Sequence, residues 1–92
     1  MRKDSIYIVT KEGPLTMSGY SFKIKTVPLF AYRDEKQWHV VERSTGRRVS
    51  AGYFATRKAS VEFVSLRWDS WSEKVCQEKL AEVTSHYDKI NH

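Results

Sequence analysis

The chain of 92 residues contains a single cysteine, Cys76. A single thiol excludes an internal disulfide, and secreted domains of this size usually depend on several. The apolar run near the N-terminus, Ile6 to Val9, is too short for the core of a signal peptide or for a membrane span. We therefore expect a cytoplasmic protein with no membrane segment.

Motifs for catalysis and for metal binding are missing as well. The sequence has no Gly-rich phosphate loop and no Gly-x-Ser-x-Gly turn. Its histidines, His39, His86 and His92, have no zinc-ligand spacing with one another or with Cys76. Cys76 and His86 fall about 15 Å apart on one predicted helix, which excludes a nucleophile–base pair there. We predict a protein that is not an enzyme, with no catalytic residues, no metal and no cofactor.

Acidic residues are also fewer than basic ones, 11 against 16, which gives a formal net charge of +5. Residues 1–68 contain 13 lysines and arginines against 6 acidic residues, whereas residues 69–92 contain 3 against 5. This asymmetry suggests an anionic partner for a surface in the first part of the chain. The hydrophobic share of 40% is typical of a globular protein and too high for a disordered one.

Residues 1–55 are dominated by segments that predict β-strands. Two of them, Trp38 to Arg43 and Arg47 to Phe54, are joined by Ser44-Thr45-Gly46 and predict a hairpin, with a bulge or close approach at Gly52. The segments before them are a strand from Ser5 to Thr10, a turn at Glu12-Gly13-Pro14, a loop through Ser18-Gly19, a strand from Tyr20 to Val27, an interruption at Pro28, a strand from Leu29 to Arg33 and a turn at Asp34-Glu35-Lys36.

Residues 56–90 predict mainly helix. Thr56 is suited to cap a helix that begins at Arg57-Lys58-Ala59, so that Arg57 and Lys58 fall in its first turn. Residues 59–68 of this segment are apolar on more than one face, and a strand from Val61 to Trp68 is an alternative. Ser72 is suited to cap a second helix that runs to about Ile90. We therefore predict a single α+β domain over residues 1–92, with an antiparallel sheet of four to five strands followed by two C-terminal helices packed on one face. The other, polar face of the sheet is expected to remain open.

Basic residues are densest between Arg43 and Lys58, a segment without an acidic residue. Such a surface is suited to contact phosphates of DNA or RNA, and Trp38 and Tyr53 are aromatic residues that could stack on bases. Solvated charges on the outer face of a sheet are the alternative. The residues that we predict to bind a partner or nucleic acid are Arg43, Arg47, Arg48, Arg57 and Lys58, extended by Lys23 and Lys25 on an earlier strand.

Aromatic and apolar residues in the second half suggest protein contacts. Trp68 and Trp71 flank the junction of the predicted helices, where they form either an exposed recognition point or the closure of a small core. A stripe at helical spacing is expected to pack inside the domain, and the alternative is a homodimer interface. The stripe consists of Cys76, Leu80, Val83, Tyr87 and Ile90.

A strand–turn–strand–helix arrangement covers roughly Trp38 to Val64. The residues that mark it are Trp38, Val40, Ser44-Thr45-Gly46, Val49, Gly52, Thr56 and Ala59. This arrangement is similar to a cassette of small phage and prophage accessory proteins, among which anti-CRISPR and anti-restriction inhibitors bind a host defence complex stoichiometrically. The resemblance implies an inhibitor or modulator of a host protein complex, and a nucleic-acid-binding domain is the alternative.

Overall fold

The computed structural model describes residues 1–49 and 54–91, which form five strands followed by two helices. The strands make one antiparallel sheet in the order β1-β2-β3-β4-β5. The predicted α+β class, with a sheet of four to five strands and two C-terminal helices, is confirmed. The elements are β1 (Arg2–Thr10), β2 (Gly13–Ile24), β3 (Val27–Asp34), β4 (Gln37–Glu42), β5 (Arg47–Arg48), α1 (Arg57–Asp69) and α2 (Glu73–His86).

The turn between β2 and β3 lies at Lys25-Thr26, so the prediction of one strand from Tyr20 to Val27 was wrong. Lys25 has a φ of 55°, a left-handed conformation that lysine seldom adopts and that the sequence did not signal. Its ammonium group donates to the main-chain carbonyls of Trp68, Asp69 and Trp71 at the end of α1. A contact with a distant helix thus stabilises this turn.

The segment at Ser18-Gly19 lies inside β2 and does not form the predicted loop. Gly19 is paired with Asp4 on one side and with Tyr32 on the other. A Cβ atom at this position would overlap the Ala31 carbonyl oxygen and would lie 2.7 Å from the ring of Phe30. Glycine is therefore required here for the close approach of β2 to β3 and not for a turn.

Both helices begin at the predicted caps. The Thr56 hydroxyl accepts from the Ala59 amide at 3.1 Å, and the Ser72 hydroxyl accepts from the Val75 amide at 3.3 Å. Residues 59–68 are helical, which excludes the alternative strand. Helix α2 ends at His86, four residues before the predicted end near Ile90. Neither helix of the described residues is long and apolar enough to cross a membrane.

One face of the sheet packs against the helices. We name this cluster the helix-covered core, and each of its residues is at most 6% exposed. Its strand residues come from β2, β3 and β4, while α1 contributes two residues and α2 contributes a cysteine. The cluster consists of Ile24, Val27, Leu29, Ala31, Val40, Val64, Trp68 and Cys76.

The opposite face of the sheet is not the open polar surface that the sequence suggested. The sheet curls, and the Val9 amide of β1 donates to the Gly46 carbonyl in the β4–β5 turn at 3.0 Å. The curl buries a second apolar cluster, which we name the inner core. It consists of Ile6, Ile8, Phe30, Tyr32 and Val41, each at most 3% exposed.

Residues 87–91 complete the closure of the sheet. The Asn91 side chain accepts from the Tyr7 amide at 2.7 Å and donates to the carbonyls of Tyr7 and Arg43, both at 2.8 Å. The Ile90 and Asn91 amides donate to the Ser44 carbonyl at 2.8 and 3.0 Å. The two bonds to Tyr7 satisfy main-chain groups at the outer edge of β1, which an unprotected edge strand would leave unpaired, and the bonds to Arg43 and Ser44 tie this segment to the β4–β5 turn.

The predicted hairpin around Ser44-Thr45-Gly46 is present between β4 and β5. The buried Glu42 carboxylate accepts from the Ser44 amide and hydroxyl and from the Thr45 amide at 2.6–3.0 Å, which stabilises this turn. The predicted continuation of the strand through Gly52 and Tyr53 lies outside the described residues.

Candidate functional site

The structure divides the seven predicted basic residues among different local environments. Arg43 forms an ion pair with Asp4, with its Nη2 atom 2.8 Å from the carboxylate, and it also donates to the Ser21 hydroxyl at 3.3 Å. It thus joins β1 and β2 to the end of β4, and its role in binding a partner stays a prediction. Lys25 is engaged with carbonyls of the α1 end, whereas Lys23 is exposed on β2.

Arg47 and Arg48 lie at the rim of the inner core. The guanidinium of Arg47 stacks over the ring of Tyr87 at 4.1 Å. Burial lowers the pKa of His39 below its ordinary value of 6.5, and the positive charge of Arg48 lowers it further, while Asp34 acts in the opposite direction. His39 is therefore neutral at pH 7.

Arg57 and Lys58 lie in the first turn of α1, as predicted. Lys58 is 3.9 Å from Glu62 in an exposed ion pair. Arg57 lies over the ring of Tyr20, with 4.1 Å between the guanidinium carbon and the ring centroid. The Tyr20 ring is in turn 6.3 Å from the ring of Trp38. This row of an arginine and two partly exposed rings marks the start of α1 as the strongest candidate site.

A cleft of about 550 Å³ opens beside these rings. Strand register explains its composition, because Lys3 lies opposite Tyr20 in the β1–β2 pair and Arg33 lies opposite Trp38 in the β3–β4 pair. We name the surface formed by Lys3, Tyr20, Arg33, Trp38 and Arg57 the basic cleft. It continues the face of the helix-covered core past the first turn of α1.

The one carboxylate that lines the cleft is already paired. Asp4 accepts from the Ser21 hydroxyl at 2.6 Å and from Arg43, and Arg2 lies 3.6 Å away. The Ser21 hydrogen bond first, and then that of Arg43, lowers the pKa of Asp4 from 3.8 to about 2. Arg43 balances the charge of Asp4, and among residues 1–49 and 54–91 no acidic side chain forms an ion pair with Lys3, Arg33 or Arg57.

Trp68 and Trp71 pack together, with 5.1 Å between ring centroids. Trp68 is 4% exposed and belongs to the helix-covered core, so it is not the exposed recognition point that was one of the two interpretations. Cys76 and Leu80 of the predicted stripe pack in or against the helix-covered core, as expected. Tyr87 and Ile90 lie beyond the end of α2, so the stripe does not continue along one helix as predicted.

The sequence pointed to Trp38, Arg57 and Lys58 but missed two cations of the basic cleft. Arg33 could have been found, because a two-residue turn at Glu35-Lys36 places it opposite Trp38. Lys3 could not, since the expected strand began only at Ser5 and the expected loop at Ser18-Gly19 hid its pairing with β2.

In residues 1–49 and 54–91 no group of three or more His, Cys, Asp or Glu side chains is placed to hold a metal ion. Comparisons of the chain with protein-family models, with curated proteins and with solved structures find no match.

Proposed function

We propose that this chain is a non-enzymatic binding protein that binds a single strand of nucleic acid in the basic cleft. The observation that carries this proposal is the grouping of Lys3, Arg33 and Arg57 around the rings of Tyr20 and Trp38. We further propose a cytoplasmic location, because a chain with one cysteine has no disulfide to form within itself.

The cations supply the affinity. Lysine and arginine side chains contact phosphates and release the counterions condensed on the strand, which makes binding dependent on salt. Lys3, Arg33 and Arg57 are all exposed and come from three different elements, so they can follow a backbone across the sheet. Three phosphate contacts with a single strand predict a slope of about −2 for log affinity against log salt concentration.

The rings favour a single strand over a duplex. An unpaired base presents its flat face for stacking on an aromatic side chain, whereas base pairs in a duplex are stacked on one another. The Arg57 guanidinium covers one side of Tyr20, and the neighbouring Trp38 is also only partly buried. The sheet surface therefore offers aromatic rings between the cations, an arrangement that tolerates any base sequence.

Fluorescence anisotropy with a labelled oligonucleotide of about 12 nucleotides, as DNA and as RNA, tests the proposal. The double variant Arg33→Ala/Arg57→Ala should bind at least about tenfold more weakly, and the salt slope should fall from about −2 to about −0.7. The matched control, Lys74→Ala/Lys79→Ala, removes the same charge from exposed positions of α2. Equal weakening of binding by the control would mean that net charge alone determines the affinity, and it would contradict a defined site.

The same cations favour a second candidate, an acidic protein surface. A stoichiometric inhibitor of a host defence complex, as the phage resemblance implies, would place Arg33 and Arg57 against carboxylates of its target. Affinity purification with and without nuclease separates the two functions. A complex of fixed stoichiometry that survives nuclease and is lost in Arg33→Ala/Arg57→Ala supports the inhibitor, and material retained only without nuclease supports the nucleic-acid proposal.

A further inference from the structure

A groove of about 700 Å³ opens on the face of the sheet that carries the inner core. Its floor is apolar, because it is formed by two inner-core residues, Ile8 and Tyr32, and by Met17, which packs against that core. Leu15 lies opposite Ile8 in the β1–β2 pair and extends the floor outward, where it is 47% exposed. We name the space above these four residues the inner groove. Its volume is in the range of about 300–1,000 Å³ that is typical of sites for small molecules.

The rim of the inner groove is charged. Because the curl of the sheet bonds the Val9 amide to the Gly46 carbonyl, the two arginines that follow Gly46 lie beside β1. The β1–β2 turn and the end of β3 supply the other charged groups. The rim consists of Lys11, Glu12, Asp34, Arg47 and Arg48. Three cations against two carboxylates leave a net charge of +1, which one monovalent anion balances.

The cations of this rim have no acidic partner in the described part of the chain. The ion pairs of residues 1–49 and 54–91 include none with Lys11, Arg47 or Arg48. Stacking over the ring of Tyr87 holds the guanidinium of Arg47 in place, and its buried Nε atom finds no acceptor among the described residues. The adjacent Arg48 is exposed. Guanidinium groups bind carboxylates through parallel hydrogen bonds, so a carboxylate above the apolar floor matches this rim.

The side chains around the groove also favour an aromatic body on the ligand. Guanidinium groups stack on aromatic faces, and the flexible thioether of Met17 adapts to the shape of a ring and makes favourable contacts with it. From this combination we infer that the inner groove binds a small aromatic carboxylate, with its ring on Leu15 and Met17 and its charge at Arg48. The inner groove and the basic cleft share no lining residue in the described chain, so either proposal can fail without the other.

Nuclear magnetic resonance of the isotope-labelled full chain tests this inference with three probes. Phenylpropionate has both the ring and the carboxylate, phenylpropanol has only the ring, and acetate has only the carboxylate. We expect phenylpropionate to bind with a Kd of about 1 mM, since a ligand of about ten non-hydrogen atoms reaches this affinity in a formed site. It should shift the amide signals of Ile8, Leu15 and Arg48. The two partial probes should bind at least about tenfold more weakly.

Replacement of the arginine at the rim tests the place of the carboxylate. Arg48→Ala should weaken the binding of phenylpropionate about tenfold, because it removes a charged donor. The matched control, Arg67→Ala, removes an exposed arginine from α1 and should leave the Kd unchanged. Both positions are exposed, and circular dichroism checks that each variant is folded. Equal weakening by the control, equal binding of phenylpropanol or acetate, or no binding of phenylpropionate at about 10 mM would each overturn the inference.

His39 provides a second measurement of where the bound charge lies. Burial lowers the pKa of His39 and the positive charge of Arg48 lowers it further, while Asp34 raises it. A carboxylate held at Arg48 opposes that positive charge, so saturation with phenylpropionate should raise the pKa of His39. The same concentration of acetate, which screens charges without filling the groove, should raise it less. Binding of phenylpropionate that leaves the pKa of His39 unchanged would place the anion away from Arg48 and would also overturn the inference.

Discussion

The helix-covered core and the inner core lie on opposite faces of one sheet, and they are closed in different ways. Helices that follow the sheet in sequence cover the first, and each helix has its own capping residue. The second is closed by the sheet itself and by residue 91, which bonds to Tyr7 across 84 positions of the chain. The helix-covered core thus depends on signals from residues close together in the sequence, and the inner core depends on contacts between distant segments.

Adjacent residues of β3 give the most direct comparison of the two cores. Phe30 points into the inner core and Leu29 into the helix-covered core, and both are fully buried. If both clusters are true cores, Phe30→Ala should lower the free energy of unfolding by about 3–5 kcal/mol and Leu29→Ala by about 2–5 kcal/mol. Urea denaturation followed by circular dichroism measures both values.

A loss of less than about 1 kcal/mol in Phe30→Ala would show that the inner core is only a surface layer. Because a domain of this length is stable by only about 5–14 kcal/mol, either alanine variant could be too unstable to measure. Phe30→Leu and Leu29→Val then allow the same comparison with smaller changes in volume.

The closure of the inner core can be weakened without touching its apolar residues. Asn91→Ala removes three hydrogen bonds to the main chain, and we expect it to lower the free energy of unfolding by about 1–3 kcal/mol. Hydrogen exchange should accelerate at the Tyr7 amide while the amides of β3 remain protected. Lys89→Ala changes an exposed neighbour and serves as the control. Equal stability of Asn91→Ala and Lys89→Ala would exclude a role for residue 91 in the closure.

This difference between the faces explains what the sequence could predict. The α+β order, the β4–β5 turn and the helix starts at Thr56 and Ser72 follow from residues next to one another in the chain. The turn at Lys25 could not be predicted from neighbouring residues, because its ammonium group bonds to carbonyls more than 40 residues away. The end of α2 could not be predicted in this way either, because Ile90 has the spacing of a helical residue but its amide donates to the Ser44 carbonyl.

The residues of the candidate site also differ in whether neighbouring residues in the sequence predict their place. Arg57 and Lys58 were found because a helix start is a local signal, and Trp38 because it begins a recognisable strand. Their neighbours in the basic cleft depend on register. Arg33 needs only the two-residue turn before Trp38, whereas Lys3 needs the full pairing of β1 with β2, which no short sequence pattern contains.

The smallest expected effect concerns the ion pair that ties β1 to the β4–β5 turn. The pKa of Asp4 is lowered from 3.8 to about 2 in the folded chain, so the unfolded chain binds more protons between these values. The stabilisation is therefore complete above about pH 4 and is lost as the pH falls toward 2. Asp4→Asn should cost about 1 kcal/mol or less at pH 5 and should lose less stability on acidification. Urea denaturation between pH 5 and pH 2, with Asp88→Asn as an exposed control, measures this difference. If Asp4→Asn and the unmodified chain lose equal free energy of unfolding over that interval, the ion pair does not contribute to the closure of the inner core. Hydrogen bonds and apolar packing alone then close it.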